Sequence, residues 1–308
     1  MKHYFRVMLG QGGKLADDCI QEGYIGVHYD LLENLTGKFP DSWREFNSQY
    51  IPVLLEADPD RPKRSAGLAC AQVWQLGYGL KDGDVVLAPV PEGLFRVGIV
   101  DGPYRYVEGA ELPHQRPVKW TDEMIDRTAI SDELRASVRA GQTIIVLDKY
   151  AEEIEALRGG GAPRIEVVGD EVVEDPSAFA MELHLEDFLV ANWAQAGLGD
   201  DYDILEEDGV SVGQQYQTDV GPIDILAISK SKEALLVVEL KRGRTSDAVV
   251  GQTLRYMGFV KDELADEGQA VKGAIIALED DPKLRRALSM TPDISFYRYR
   301  IDFTLEEG

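Results

Sequence analysis

Hydrophobic and polar positions follow two periods in the first half of the chain, and together they predict a sheet with interspersed helices. The runs HYFRVML, GYIGVHYDL, DGDVVLAPV and LFRVGIVDGPYRY are rich in apolar residues and bounded by glycine, which is typical of strands. Between residues 41 and 57, Phe46, Tyr50 and Leu54 recur at helical spacing and predict a helix. In residues 121–141, Thr or Ser precedes acidic residues, which predicts two short helices.

The second half begins with a predicted helix, MELHLEDFLVANW, and continues with strand patterns. The strands are YDILEE, VGQQYQT, GPIDILAIS and EALLVVEL, followed by the helix SDAVVGQTLRYMGFVKDELADE. A strand KGAIIAL, a helix DPKLRRALSM and a strand ISFYRYRIDFTL complete the pattern. Helix, antiparallel strands, helix and strand in this order predict an α/β domain.

A connector separates the two halves. KYAEEIEALRGGGAPR is a charged helical segment that ends in three glycines, and an acidic stretch follows it. We therefore predict one domain over residues 1–148, a linker over 149–177 and a second domain over 178–308. The length of 308 residues fits two domains better than one compact core.

The composition predicts a globular protein of the cytoplasm. Hydrophobic residues make up 44% of the chain and charged residues 28%, as is usual for folded domains. The sequence contains no apolar run long enough for a transmembrane helix, and its N-terminus has too short an apolar core for a secretory signal. Cys19 and Cys70 form no metal-ligand spacing or disulfide framework, which favours a reducing compartment.

The net charge of −23 excludes a protein that coats nucleic acid non-specifically. Both halves are acidic, so neither is a general polyanion-binding domain. Contact with DNA would need a local basic patch, a bound divalent metal ion or a symmetric groove in an oligomer.

Candidate chemistry lies at the ends of two neighbouring predicted strands. Asp224 is flanked by Ile223 and Ile225, so it faces away from its apolar neighbours, and Glu239 and Lys241 share one face at i, i+2. A hairpin can bring Asp224 alongside Glu239, and two carboxylates repel unless a cation lies between them. Mg²⁺, or Mn²⁺ in its place, takes such oxygen ligands, and Lys241 could orient a water molecule or stabilise phosphate charge. Glu-x-Lys alone is more often a solvated strand end.

The flanking predicted helices carry further polar pairs. Glu182 and Glu186 are one turn apart, and Gln252 and Tyr256 are likewise at i, i+4 with Arg255 between them. Each pair taken singly is more often an exposed polar face. Their position on either side of the strand acids makes a shared site a better interpretation.

The ordered motifs, a Glu-rich helix, GPIDILAI, LVVELKRG and GQTLRYMG, resemble the catalytic domain of NucS-type (EndoMS-like) endonucleases of the PD-(D/E)xK superfamily. The resemblance covers roughly residues 180–305. It implies a restriction-endonuclease-like core, a central mixed sheet flanked by helices. It also implies a metal-dependent phosphodiesterase centre whose catalytic residues are Asp224, Glu239, Lys241, Glu186 (or Glu182) and Gln252, with Asp224, Glu239 and Glu186 as metal ligands and Tyr256 nearby.

The first half is similar to a PUA/EVE-type barrel in its pattern GYIGVHYDL … WREF … ACAQVWQLGYGL … HQRPVKW, which implies a mixed α+β domain with a β-barrel. Such barrels accompany nuclease domains in modification-dependent restriction systems and can hold a flipped base. Stacking faces for that pocket could come from Tyr24, Tyr29, Trp43 and Trp74, although each could equally be core. The stretch HQRPVKW could meet phosphate or form a salt-bridged strand.

We therefore expect a Mg²⁺-dependent DNA endonuclease, a modification-dependent restriction nuclease that cleaves double-stranded DNA as a homodimer. Arg242, Arg244, Arg255 and Tyr256 are the expected DNA contacts. One alternative is a mismatch- or structure-specific repair endonuclease. Another is a non-catalytic DNA-binding module, which three charges kept together at one site make less favourable.

Overall fold

The computed structural model describes residues 2–159, 185–207 and 209–300 of the chain. The chain divides into two compact units, a first unit up to residue 168 and a second unit from residue 169. Glu182 and the end of the predicted last strand lie outside the described residues. No helix among the described residues is both long enough and apolar enough to cross a membrane.

The first unit combines a seven-stranded sheet with five helices in its described part. Its strands are β1 (Tyr4–Val7), β2 (Tyr24–Val27), β3 (Val85–Val90), β4 (Leu94–Val100), β5 (Arg105–Tyr106), β6 (His114–Asp126) and β7 (Ile144–Val146). Its helices are α1 (Ala16–Glu22), α2 (Trp43–Ala57), α3 (Lys63–Trp74), α4 (Asp132–Arg139) and α5 (Ala151–Arg158).

The sheet of the first unit is mixed and buried on both faces. Its order is β2-β6-β4-β3-β1-β7, with β5 beside β6, and β1 runs parallel to β3 while the other neighbours are antiparallel. Along β3, Val86 and Ala88 join one apolar cluster, and Val85 and Leu87 join another. Since successive side chains of a strand face opposite ways, helices cover both sides. This mixed α+β sheet is the predicted class, and its likeness to a PUA barrel stays a prediction.

The structure corrects one local prediction for the first unit and adds one helix that was not predicted. Residues 121–126 complete β6 instead of forming a short helix, because Met124 and Ile125 pair with β4. Pairing across a sheet overrides the local capping pattern. The helix α3 was not predicted, since its run of small residues has little amphipathic contrast.

The beginning of the predicted linker is ordered with the first unit. Residues 149–150 lie in a short 3₁₀ turn, and α5 follows it. Ile154 is fully buried in the first unit's core, and Arg158 Nε donates to Glu123 Oε2 at 2.6 Å. The first ten residues of the predicted linker, 149–158, therefore belong to the packed first unit.

The second unit contains a central sheet, a small separate hairpin and three helices in its described part. The strands are β8 (Tyr202–Ile204), β9 (Glu206–Glu207), β10 (Val210–Ser211), β11 (Gln214–Thr218), β12 (Gly221–Ser229), β13 (Ala234–Arg244), β14 (Ala270–Glu279) and β15 (Ile294–Arg298). Residues 185–191 form the described part of α6, and α7 (Ala248–Phe259) and α8 (Pro282–Leu288) follow.

The central sheet of the second unit is mixed, in the order β11-β12-β13-β14-β15 with β8 also paired to β12. The strands β11, β12 and β13 are antiparallel neighbours, whereas β13, β14 and β15 are parallel. On β14, Gly273 lets α7 approach closely, since a Cβ there would lie 2.8 Å from Thr253 Cγ2. The predicted central mixed sheet flanked by helices is confirmed.

Candidate active site

Three polar side chains lie side by side across β11, β12 and β13. Ile225 pairs with Val238, and Asp224 and Glu239 are the next residues of β12 and β13 beyond that pair. On the other side of β12, the pairs Gln214–Ile225 and Tyr216–Ile223 place Gln215 next to Asp224. We call Gln215, Asp224 and Glu239 the polar row. Gln215 Nε2 lies 3.4 Å from Asp224 Oδ1, so the amide and this carboxylate meet at one patch of the sheet.

The carboxylate of Asp224 is fixed against the neighbouring strand. Its Oδ2 accepts a hydrogen bond from the backbone N–H of Leu240 at 2.7 Å. This bond joins the side chain of β12 to the main chain of β13 directly beside Glu239. The juxtaposition that the sequence predicted for Asp224 and Glu239 is therefore present in the fold.

Glu239 is a deeply buried carboxylate with a cation beside it. The residue is 1% exposed, and Lys241 Nζ lies 3.2 Å from its Oε1. The two side chains project from one face of β13, as their i, i+2 spacing predicts. An acid this far from solvent is expensive to keep ionised, and the neighbouring ammonium offsets part of that cost.

The helix α6 supplies a third acid, Glu186, which is 2% exposed. Its Oε1 accepts from Gln214 Nε2 at 2.9 Å, and its Oε2 accepts from Gln215 Nε2 at 2.5 Å. Burial, reinforced by the negative charge of Asp224, raises the pKa of the Glu186 carboxyl to about 8, while the two glutamine donors act in the opposite direction. Glu186 thus lies beside the strand acids, whereas Glu182, the other helical acid considered from the sequence, lies outside the described residues.

The helix α7 brings Gln252 and Tyr256 to the same patch. Gln252 Nε2 donates to the Tyr256 hydroxyl at 3.3 Å, and the Tyr256 ring is buried. Burial, followed by the charge of Glu239, raises the pKa of Tyr256 to about 12, so its hydroxyl keeps its proton. Tyr256 was expected both near the catalytic residues and as a DNA contact; the effect of the Glu239 charge on its pKa agrees with the first expectation, and the second stays a prediction.

The predicted cationic DNA contacts are distributed along β13 and α7. Arg255 is exposed on α7. Arg242 and Arg244 lie on β13, where the pairing with β14 shifts register between Lys241 and Arg244. The side chains of Arg242 and Arg244 lie outside the part of the chain that the structure describes, so their role stays a prediction.

Gln214 and Gln215 were missed by sequence reasoning. Their strand, VGQQYQT, contains three glutamines and gives no sign of which one faces the acids. The register with β12 identifies Gln215, since it faces Asp224, and that register exists only once the strands pair. The sequence signal that could have been used is the presence of glutamines on the strand before the one that carries Asp224.

The chemistry of this donor set fits a hard divalent cation. Asp224, Glu239 and Glu186 offer only oxygen ligands, and two of these acids are buried where like charges repel strongly. A cation nearby would lower the raised pKa of Glu186. Within residues 2–159, 185–207 and 209–300, however, no three side chains of His, Cys, Asp or Glu meet closely enough to enclose a metal ion.

Three of the four aromatic residues of the predicted base pocket, Tyr24, Tyr29 and Trp74, belong to or pack against one apolar core cluster of the first unit. The ring of Tyr24 belongs to its buried core, and Tyr29 OH lies 2.5 Å from Thr143 Oγ1. The Arg44 guanidinium lies over the ring of Trp43. The indole N–H of Trp74 donates a hydrogen bond to the carbonyl of Pro40. Core packing explains Tyr24, and a shared pocket for the four stays a prediction.

The basic stretch HQRPVKW is largely interior. His114 is fully buried and lies between the Tyr104 hydroxyl and the Leu31 carbonyl. Arg116 is 6% exposed and pairs with Asp82 at 3.3 Å. Of the two interpretations left open for this stretch, the salt-bridged strand is therefore the one that the fold adopts.

Two family descriptions match the chain, one in each unit. Residues 5–148 match "Domain of unknown function (DUF8426)", and residues 192–296 match "Endonuclease NucS C-terminal domain". The second match includes the polar row, Lys241, Gln252 and Tyr256. Thus the second unit is similar to a NucS-type nuclease domain, as its motifs predict. No curated protein matches the chain.

Similar solved structures include an EndoMS complex with double-stranded DNA, with 13% identity and a TM-score of 0.32; the match covers 71% of this chain and 66% of that one. A repair endonuclease from Pyrococcus abyssi has 12% identity and a TM-score of 0.31, and the match covers 70% of this chain and 65% of that one. The MspJI restriction endonuclease in complex with an oligonucleotide has 11% identity and a TM-score of 0.23, and the match covers 80% of this chain and 62% of that one. The chain thus spans just under two thirds of the first two structures.

Proposed function

We propose that this protein is a metal-dependent DNA endonuclease whose second unit hydrolyses phosphodiester bonds. The observation that carries the proposal is the convergence of Glu186, Asp224, Glu239 and Lys241 on one sheet face. This convergence occurs in the unit that matches the NucS C-terminal domain. Buried acids with a neighbouring lysine are costly to a fold, so a catalytic role gives them a reason to be together.

Asp224 and Glu239, with Glu186, are the residues that would hold Mg²⁺ or Mn²⁺. When bound, the ion would supply positive charge for the developing phosphate charge and lower the pKa of the attacking water. Lys241, held beside Glu239, would donate a hydrogen bond to a phosphate oxygen or orient the water. Gln252 and Tyr256 would line the adjoining surface as neutral hydrogen-bonding groups.

The first unit would choose the substrate, and we propose that it selects double-stranded DNA carrying a modified base. Support comes from its sequence resemblance to PUA/EVE-type barrels and from its being a compact unit separate from the acidic centre. The acidic net charge fits such a division, since affinity would then depend on a specific feature of the DNA more than on general attraction to phosphate.

The test is a panel of duplexes, unmodified, base-modified or mismatched, incubated with Mg²⁺, Mn²⁺ or EDTA. We expect cleavage of modified duplexes in the presence of either ion and none in EDTA. Asp224→Asn should remove cleavage, whereas Asp203→Asn, an exposed aspartate on β8, is the matched control and should retain it.

Two outcomes would contradict the proposal in different ways. Cleavage confined to mismatched duplexes would show that the catalytic unit serves mismatch repair and would contradict the proposed dependence on a modified base. DNA binding with no cleavage under any ion would indicate a non-catalytic binding module.

A further inference from the structure

One side-chain amide connects two acids of the candidate active site. Gln215 Nε2 donates to Glu186 Oε2 at 2.5 Å and makes a longer contact of 3.4 Å with Asp224 Oδ1. Gln215 is 8% exposed, so water competes little for these contacts. The amide N–H groups therefore bring partial positive charge to a place where two carboxylates face each other.

The backbone at Gln215 is unusual for a strand. Its φ is 49°, in the left-handed region that residues other than glycine rarely occupy. Successive side chains of a regular strand face opposite ways, yet Gln214 and Gln215 both donate to Glu186. The left-handed residue is what breaks the alternation and lets consecutive side chains reach one carboxylate.

We propose that Gln215 is a positioning residue, whose amide holds Glu186 of α6 against Asp224 of β12. A strained backbone persists only where the surroundings determine it, and such sites concentrate where geometry serves function. The amide links the helix to the sheet across the acidic patch and relieves repulsion between the two acids. Gln215 neither contacts the reacting phosphate nor ligates an ion in this role.

The inference rests on the proposed function for its consequence, because the acids so positioned are the ones that would hold the ion. Partners that orient metal ligands typically contribute tenfold or more to metal affinity. We therefore expect the removal of the Gln215 donor to weaken the binding of a divalent ion while the three acids themselves remain.

The first experiment measures Mn²⁺ affinity by calorimetry on the full chain without DNA. Gln215→Met keeps length and volume but has no N–H donor, and we expect it to weaken binding about tenfold. Gln195→Met is the matched control on the exposed surface of the second unit and should bind like wild type. Wild-type affinity in Gln215→Met would overturn the positioning role.

Glu239→Ala separates this inference from the proposed function. If Glu239→Ala binds Mn²⁺ as tightly as wild type, or if wild type binds none, the proposed metal site is wrong. If Glu239→Ala loses binding while Gln215→Met does not, only the positioning role fails. Should Gln215→Met not fold, Gln215→Asn replaces it, since asparagine suits left-handed backbone and its amide is one methylene shorter. Full affinity in that variant would also count against the role.

A second measurement tests the amide contact without any metal. In EDTA, Gln215→Met should lower the melting temperature of the wild-type chain, because Glu186 loses a buried donor. In the Glu186→Met background the same change should have much less effect, since the Glu186 acceptor is gone and only the long contact with Asp224 Oδ1 is left to lose. Equal losses in the two backgrounds would show that the amide does not couple α6 to β12, whatever the outcome of the Mn²⁺ titration.

Discussion

At the scale of single residues, Glu239 is a buried acid of the site with a cation in contact. It is 1% exposed and has Lys241 beside it. We predict that Glu239→Gln, which keeps the shape and removes the charge, lowers single-turnover cleavage by at least about a hundredfold. Glu233→Gln, on the exposed turn before β13, is the control. Cleavage by Glu239→Gln at the control's rate would rule out Glu239 as a ligand.

A substitution of Lys241 should affect DNA cleavage without affecting the binding of the divalent ion. An ammonium donates hydrogen bonds and cannot ligate a cation, so Lys241→Met should lose cleavage but still bind Mn²⁺. Parallel cleavage assays and Mn²⁺ titrations would measure the two properties. Lys272→Met, at an exposed position near the start of β14, should change neither property. Loss of Mn²⁺ binding in Lys241→Met would mean that the lysine is needed to build the site itself.

His114 gives the first unit a predictable response to acid. Burial lowers the pKa of His114 to about 4 from its ordinary 6.5. The unfolded chain therefore gains a proton below about pH 6.5 that the folded chain does not, and stability falls as the pH drops from about 6.5 towards 4. Nε2 donates to the Leu31 carbonyl, and Nδ1 then accepts from the Tyr104 hydroxyl.

The measurement is the melting temperature as a function of pH. His114→Gln should be less stable than wild type at pH 7 but lose less on acidification between about pH 6.5 and 4. His28→Gln, at an exposed histidine whose charge makes a smaller contribution than burial to the lowered pKa of His114, should shift the curve far less than His114→Gln does. Identical acid dependence in His114→Gln and wild type would mean that other groups control the transition.

At the scale of elements, the packing of α7 on β14 places Gln252 and Tyr256 beside the polar row. The helix approaches the strand at Gly273, where a Cβ would meet Thr253 Cγ2 at 2.8 Å and Met257 Sδ at 3.0 Å. We predict that Gly273→Ala destabilises the protein by about 1–3 kcal/mol, since a well-packed interface resists an added methyl group.

Gly258→Ala is the matched control for that packing prediction. Gly258 is on the exposed side of α7, and a Cβ there has no neighbour within 4 Å. Alanine in a helix is favoured over glycine by about 0.5–1 kcal/mol, so this variant should be slightly more stable. Urea unfolding of both variants would test the pair, and similar stabilities would show that the helix is not tightly seated on β14.

At the scale of the whole molecule, we predict a homodimer, because two-fold symmetry bears both on double-strand cleavage and on how an acidic protein binds DNA. A single centre cuts one strand at a time, and a two-fold axis would supply two centres from one chain type. We predict a homodimer in which Arg242, Arg244 and Arg255 face the DNA while acidic surface faces outward, so binding should weaken strongly with salt. Light scattering with and without DNA, and plasmid cleavage, would measure this. A monomer in both states that only nicks one strand would contradict it.

The sequence by itself determined most of the strands and the identity of the acids. Apolar runs recur at β1, β3, β12 and β13 because one or both faces of each strand are buried, and burial selects apolar residues directly. Asp224 was identifiable because a carboxylate between two isoleucines of a strand faces away from them, towards the side where Glu239 and Lys241 were expected. The spacing of Glu239 and Lys241 fixed their common face for the same geometric reason.

Only the tertiary structure decided which polar residues meet. Residues 121–126 became strand because β4 offered pairing partners, a non-local effect that local capping signals do not contain. Gln215 joined the acids through strand register and a left-handed backbone, neither of which glutamine itself specifies. His114 and Arg116 turned inward because the sheet is covered on both faces, so a stretch that is basic in sequence became interior hydrogen bonding.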